Sequence, residues 1–495
     1  MRVSEYYELG RKQPTLDFVD VDIENDVPVY IDPSAIQNLS DDWSKQCLAM
    51  LSTFFDSVLD ALKANDRSRA RDLLIRLQEP NETHFGLSRA RSQGRGLGPY
   101  LVRKMCDNLA ASSAARTGLL EDLEDTALFI EGIGKDIISD VTTNVIRGML
   151  LSYTHSMASM YDIPLEEGVY SGSAWDPIRR EWDESHTRMP VPGGRPLLLV
   201  PKVLVRHDLH LTKDDYFRNH LAPCLQSEEL EKPGSKLIKI AKDGKRWVSK
   251  ADILITYNGD KSHMVKLSSQ RSEIFHAYKE SKRQNPSLPL THEQLRRATH
   301  TERVDFDALL KAVLDISPGP DGASQYHRNI EALFTALFYP ALTQPIVEHE
   351  IDQGRKRVDI MYTNTATEGF FAWLTRQRHP SSYVFVECKN YKSEIGNPEL
   401  DQICGRFTPL RGKVGIIACR SLGDKDRFMQ RCRDVAQSRH EFVLMLDDDD
   451  LVLLVDEVKR ALSAAEQTTP GNLLPDEPEP SEFRLLFERF RVLVS

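Results

Sequence analysis

Apolar residues at Ile330, Leu333, Phe334, Leu337 and Phe338 repeat at the spacing of one buried helical stripe, so Gln325 to Tyr339 is predicted as a helix, with Glu331 beside the stripe. The pattern then changes to strand period. Ile346-Val347 enters a hairpin, Asp352-Gln353-Gly354-Arg355 turns, and Arg357 to Tyr362 returns. Side chains alternate along the returning strand, so Val358 and Ile360 face a core while Asp359 shares the other face with Arg357 and Met361. The run Tyr383-Val-Phe-Val-Glu-Cys-Lys389 reads as a short buried strand that ends in charges. After a loop, Asn397 is placed to cap a helix with Pro398 in its first turn. Leu400, Ile403, Cys404 and Phe407 form its buried stripe, and Gln402 and Arg406 lie one turn apart. Val414 to Cys419 closes the unit as a strand, giving the order helix, three strands, helix, strand.

Elsewhere, Thr15 to Asp32 alternates Phe18, Val19, Val21 and Ile23 with Asp17, Asp20, Asp22 and Glu24, which predicts β structure with a solvated acidic face. Helices are expected from about Asp41 to Leu77, where Trp43, Leu48, Leu51, Phe54, Phe55, Val58 and Leu59 keep helical spacing. Ser92 to Gly98 is a glycine-rich loop with no Gly-Lys-Ser or Gly-Lys-Thr after it, which removes the nucleotide-hydrolase reading. Gly132-Ile133-Gly134 forms a turn between two helices. It is similar to the helix-hairpin-helix DNA-binding motif, but Ile137, Ile138 and Ser139 stand where a small residue would pack, and a plain helix turn is the favoured reading. Trp175, Trp182 and the Pro190 to Pro196 segment suggest an irregular connection, followed by a short strand between Pro196 and Pro201. Thr291 with Gln294 makes a capping box. Beyond Arg420 come a helix from Asp424 to Arg439, a strand from Phe442 to Leu446, four aspartates that cap a helix over Leu451 to Ala464, and a Pro/Glu-rich linker. A last amphipathic helix follows, apt to dock on its own chain or on a partner.

These elements divide the 495 residues into an N-terminal α+β region (1–200), a basic middle region (202–316), a unit over 322–463, a linker (465–482) and a C-terminal helix (483–495). The fold class is α/β and multi-domain. The net charge of −10 argues against nucleic-acid binding until its distribution is read. Lys202 to Arg303 holds 20 basic against 13 acidic residues, with Lys245 and Arg246 in a strip around Trp247 and Tyr257. A phosphate-binding strip and a lysine-rich solvated surface explain it equally well. Seven cysteines without a Cys-x-x-Cys pair argue against both a disulfide framework and a structural zinc. No apolar run approaches membrane-spanning length and Met1 to Gly10 lacks a signal-peptide core, so a cytoplasmic protein without membrane association is expected.

The candidate chemistry follows from the alternation in 383–389, which puts Glu387 and Lys389 on one face. A carboxylate beside an ammonium at a strand end can hold a divalent cation and orient a water for phosphodiester hydrolysis. Asp359, then Glu387-Cys388-Lys389, then Gln402, with Glu331 on the leading helix, resembles the PD-(D/E)xK, or restriction-endonuclease-like, nuclease superfamily, and most the Mrr and RecB-type branches. Val358 stands where the motif's proline would be. The resemblance covers about 322–463 and implies an α-β-β-β-α-β core with a mixed sheet. It also implies Mg²⁺ or Mn²⁺ held by Asp359 and Glu387 with Glu331 as a further ligand, Lys389 and Gln402 acting on the nucleophile and phosphate, and Arg357 and Arg406 near nucleic acid. The implied activity is a DNA endonuclease of an anti-phage or restriction-type system. A catalytically silent nucleic-acid- or protein-binding module and an activated RNase are the alternatives, and a protein partner or homo-oligomer fits each.

Overall fold

The computed structural model describes residues 1–39, 41–86, 119–257, 259–351, 356–421, 423–468 and 483–495, with separate positions between 105 and 115. The glycine-rich loop 92–98, the hairpin turn 352–355 and the linker from 469 to 482 lie outside the described residues.

The chain is mixed α/β, with several small sheets and one mixed five-stranded sheet. Its principal elements in the first 300 residues are α1 (Asp42–Lys63), α2 (Lys135–Val145), α3 (Arg147–Met160), an antiparallel hairpin of β1 (Glu166–Asp176) and β2 (Glu181–Met189), and a short hairpin of β3 (Ile238–Ile240) and β4 (Arg246–Val248). The second part contains α4 (Ala323–Leu337), β5 (Leu342–Ile351), β6 (Lys356–Asn364), α5 (Gly369–Arg376), β7 (Tyr383–Lys389), α6 (Asn397–Cys404), β8 (Val414–Cys419), α7 (Lys425–Arg439), β9 (Phe442–Leu446), α8 (Asp448–Thr468) and α9 (Arg484–Val494). The large sheet runs β9-β8-β7-β6-β5, parallel from β9 to β7 and antiparallel from β7 to β5. Among the described residues no helix is long and apolar enough to cross a membrane.

Two buried apolar clusters organise these elements. One joins residues from Val3 to Ala298 and takes in Tyr339; the other joins Phe306 to Leu493 around the five-stranded sheet. β8 is buried at all six positions, as expected of a central parallel strand covered on both faces. α4 lays Tyr326, Ile330, Leu333, Phe334 and Leu337 into the second cluster, the stripe read from its periodicity. α9 packs its own Leu486 and Phe490 there, so its apolar face docks on its own chain.

Several expectations are corrected by tertiary contacts. Helix α5 is inserted between β6 and β7 along the chain; Phe370, Phe371 and Leu374 are its buried stripe. Trp175 and Trp182 lie opposite each other in an antiparallel hairpin that turns at 177–180 and shifts register twice farther from the turn; their ring centroids are 5.3 Å apart. Pro196 to Pro201 forms no strand. Its buried backbone bonds instead to four separate places, Leu197 N–H to the Pro190 carbonyl, Leu198 N–H to the Glu82 carbonyl, Leu199 N–H to Thr154 Oγ1, and the Val200 carbonyl to Val19 N–H. Between Thr15 and Asp32 only Tyr30–Ile31 forms a strand, and the acidic face is solvated only in part: Glu24 is exposed and Asp22 half-buried, but Asp17 and Asp20 are both 1% exposed. Asp20 accepts from the Ser4 N–H at 2.9 Å and its hydroxyl at 2.6 Å. Asp17 accepts from Tyr153 Oη at 2.7 Å and the Gln344 N–H at 2.9 Å. Buried carboxylates persist only with such donors. The α6 cap is Gly396, one residue before Asn397, with the Glu399 carboxylate accepting the Gly396 N–H at 2.7 Å.

Gly415 on β8 sets how closely α6 approaches the sheet. A Cβ there would stand 2.5 Å from Ile403 Cδ1 and 3.0 Å from Phe407 Cζ. Gly415→Ala is expected to cost about 1–3 kcal/mol in urea unfolding through overpacking. It should also push α6, which carries Gln402, off the sheet.

Candidate functional site

The antiparallel ladder between β6 and β7 ends at the pair Ile360–Val386, and Asp359 and Glu387 are the next residue on each strand. There the side chain replaces the ladder: Asp359 Oδ2 accepts the Cys388 N–H at 2.8 Å. Glu387 points into a buried polar cluster with Lys389 and Gln402. Lys389 Nζ donates to Glu387 Oε2 at 3.0 Å and to Gln402 Oε1 at 3.2 Å, and Gln402 Nε2 donates to the same Glu387 oxygen at 2.8 Å. Lys389 Nζ also stands 3.9 Å from Asp359 Oδ2. The structure thus brings together Asp359, Glu387, Lys389 and Gln402, four residues spread over 359–402.

Burial makes this cluster electrostatically uncomfortable. Glu387 is 0% exposed, and its carboxyl is pushed up to about 7 by burial and by the Asp359 charge, with Lys389 pulling the other way. Burial alone would lower the Lys389 ammonium, but the carboxylates of Glu387 and Asp359 outweigh it and hold the group above its ordinary range. One acceptor stays unused: Glu387 Oε1 is buried and takes no hydrogen bond, with Arg406 Nε 3.8 Å away. A buried carboxylate oxygen without a donor is costly, and a cation is the partner such an atom fits. The hard oxygens of Asp359 and Glu387 suit Mg²⁺ or Mn²⁺.

The leading helix contributes a different residue from the one expected. Glu331 belongs to another network: Arg11 Nη2 donates to its Oε2 at 2.5 Å and Thr335 Oγ1 to its Oε1 at 2.9 Å, so both oxygens are used away from the cluster. One turn earlier, His327 Nε2 reaches the Cys388 carbonyl at 3.2 Å and Asp359 Oδ2 at 3.8 Å. His327, Asp359 and Cys388 can offer ligand atoms within 4.8 Å of one another. The Cys388 thiol is raised well above its usual value by burial, so it stays protonated and is the weak member of that set. Sequence reasoning selected Glu331 by residue type. His327 was missed; its place four residues before Glu331, on the same helical face, is the signal that could have found it.

The softer assignments separate. Arg406 lines the cluster and donates from Nη2 to the Arg357 carbonyl at 2.7 Å; the Arg357 side chain points outward, 3.4 Å from Glu348. Lys245 and Arg246 lie far along the chain on the β3–β4 hairpin and join none of these contacts. A second acidic group, Glu121, Asp122 and Asp125, is already bridged by Lys279, whose Nζ donates to all three at 2.7–3.1 Å.

A family model described as a domain of unknown function, DUF8370, matches residues 8–212. That stretch contains Arg11, Asp17 and Lys202 but ends before the five-stranded sheet. No curated protein and no solved structure matches the chain.

Proposed function

We propose that residues 323–468 form a metal-dependent nuclease of the PD-(D/E)xK type with a restriction-endonuclease-like core, acting on DNA. The observation that carries this reading is the convergence of Asp359, Glu387, Lys389 and Gln402, in which Lys389 and Gln402 both donate to Glu387 Oε2 and leave its buried Oε1 without a donor. Asp359 and Glu387 would hold Mg²⁺ or Mn²⁺, which when bound polarises a phosphate and lowers the pKa of a coordinated water. Lys389, held by Glu387 and Gln402, orients the attacking water and stabilises the charge that develops on phosphorus. Gln402 fixes both partners at once, so it is a positioning residue. His327 orients Asp359 and the Cys388 carbonyl from the helix side. DNA and a role against foreign DNA follow from resemblance to Mrr and RecB-type nucleases, an argument by analogy of fold.

The test incubates the full chain with supercoiled plasmid, linear duplex, single-stranded DNA and RNA, in Mg²⁺, Mn²⁺ or EDTA. Cleavage of the DNA substrates is expected with either metal and none in EDTA. Cleavage that persists in EDTA would overturn the metal assignment, and cleavage confined to RNA would overturn the substrate.

A further inference from the structure

A strongly basic surface stands outside both the candidate site and the stretch that the family model matches. Residues 236–250 hold six basic side chains, Lys236, Lys239, Lys242, Lys245, Arg246 and Lys250, against one acid, Asp243, in a chain whose net charge is −10. All six are exposed. β3 and β4 pair antiparallel as Ile238–Val248, Lys239–Trp247 and Ile240–Arg246, closed by a tight turn in which Gly244 takes φ +82°. The hairpin is anchored at its base and open at its tip. Val248 is buried, Gln226 Nε2 donates to the Val248 carbonyl at 2.8 Å, and Arg246 Nη2 donates to the Leu230 carbonyl at 3.2 Å.

Three acids beside this base are already engaged. Glu229 bonds Ser235, Tyr257 and Lys232; Glu228 pairs with Arg271; Asp252 pairs with Lys239 at 2.6 Å. Asp243 accepts the Lys245 N–H within the turn. Among the described residues no carboxylate pairs with Lys236, Lys242 or Lys245. Trp247 remains 44% exposed with Lys239 Nζ over its ring at 5.4 Å.

From this arrangement we infer that the β3–β4 hairpin is an arm that grips the backbone of duplex DNA. A two-stranded ribbon fits the roughly 12 Å major groove of B-form DNA, whereas the deep, narrow major groove of duplex RNA does not admit it. Phosphates complement the three unpaired lysines, and their binding releases counterions. An anionic membrane is a poorer match, because the exposed apolar side chains form no continuous face: Trp247 sits opposite Lys239 and Ile240 opposite Arg246. The inference shares only its choice of DNA with the nuclease reading and needs no cleavage.

The test measures binding of the full chain to a fluorescent duplex DNA in EDTA across about 50–200 mM salt. Substituting Lys236→Gln, Lys242→Gln and Lys245→Gln together should make the slope of log affinity against log salt shallower by about 2.7, that is ~0.9 per phosphate contact. Over that salt range the variant then loses roughly 40-fold less affinity than the parent. The matching triple Lys→Arg variant should keep the parental slope, which separates charge from folding. An unchanged slope in the Gln variant overturns the inference. So does an effect seen only with duplex RNA or only with vesicles containing phosphatidylserine. If Lys389→Ala abolished no cleavage while the Gln variant still lost salt-dependent binding, the arm would stand and the nuclease site would fall.

Discussion

Lys389→Ala is expected to lower metal-dependent DNA cleavage by at least about 10²- to 10³-fold, the scale of losing one preorganised charge at a reacting phosphate. The reason is geometric. Lys389 Nζ is held 3.0 Å from Glu387 Oε2 and 3.2 Å from Gln402 Oε1, so the variant removes the only ammonium in that cluster among the described residues. Asp359→Asn is expected to match it, since Asp359 is the second hard-oxygen group beside Glu387. Both variants should keep duplex binding in EDTA and parental circular dichroism, so that the loss is read as chemistry rather than unfolding. Gln402→Ala should lose less, because it positions groups that remain present. Parental cleavage rates in either Lys389→Ala or Asp359→Asn would sink the site assignment.

Arg11→Ala is expected to destabilise the chain by about 3–5 kcal/mol, because it strands the buried Glu331 carboxylate. Arg11 belongs to the stretch matched by the family model, and Glu331 to the helix that also carries His327, so the pair ties the two apolar clusters at one point. Other ties lie beside it. Arg11 Nη2 also donates to the Arg328 carbonyl at 3.0 Å, and Asp17 accepts the Gln344 N–H at 2.9 Å. The check is a double-mutant cycle by urea unfolding with Glu331→Gln. The double variant should lose clearly less than the sum of the singles, since it removes both charges and leaves no buried one behind. A single Arg11→Ala change within 0.5 kcal/mol of the parent, roughly the range of a neutral surface substitution, would show that the pair carries no such weight.

The order of elements around the site is legible in the sequence where periodicity is strong. The 3.6-residue stripe of α4, the buried run of β7, and the Pro-Glu start of α6 each report one face of one element, and face is all that alternation needs to place Glu387 and Lys389 together. Helix α5 escaped because Phe370, Phe371 and Leu374 span little more than one turn. The β1–β2 hairpin escaped because Trp175 and Trp182 are ordinary strand residues without a glycine-rich turn to mark the pairing.

What the sequence by itself determined is which side chains of each helix or strand turn inward, because periodicity is a local property of the backbone. The tertiary structure alone decided their partners. Asp17 alternates with apolar residues like a solvated acid, yet Tyr153 and Gln344 bury and satisfy it from 136 and 327 residues away. Glu331 has the residue type of a metal ligand, yet Arg11, 320 positions earlier, takes it, and His327 comes to the site instead. A carboxylate's fate depends on which donor or cation meets it after burial, and that meeting is made by packing between elements distant in the chain.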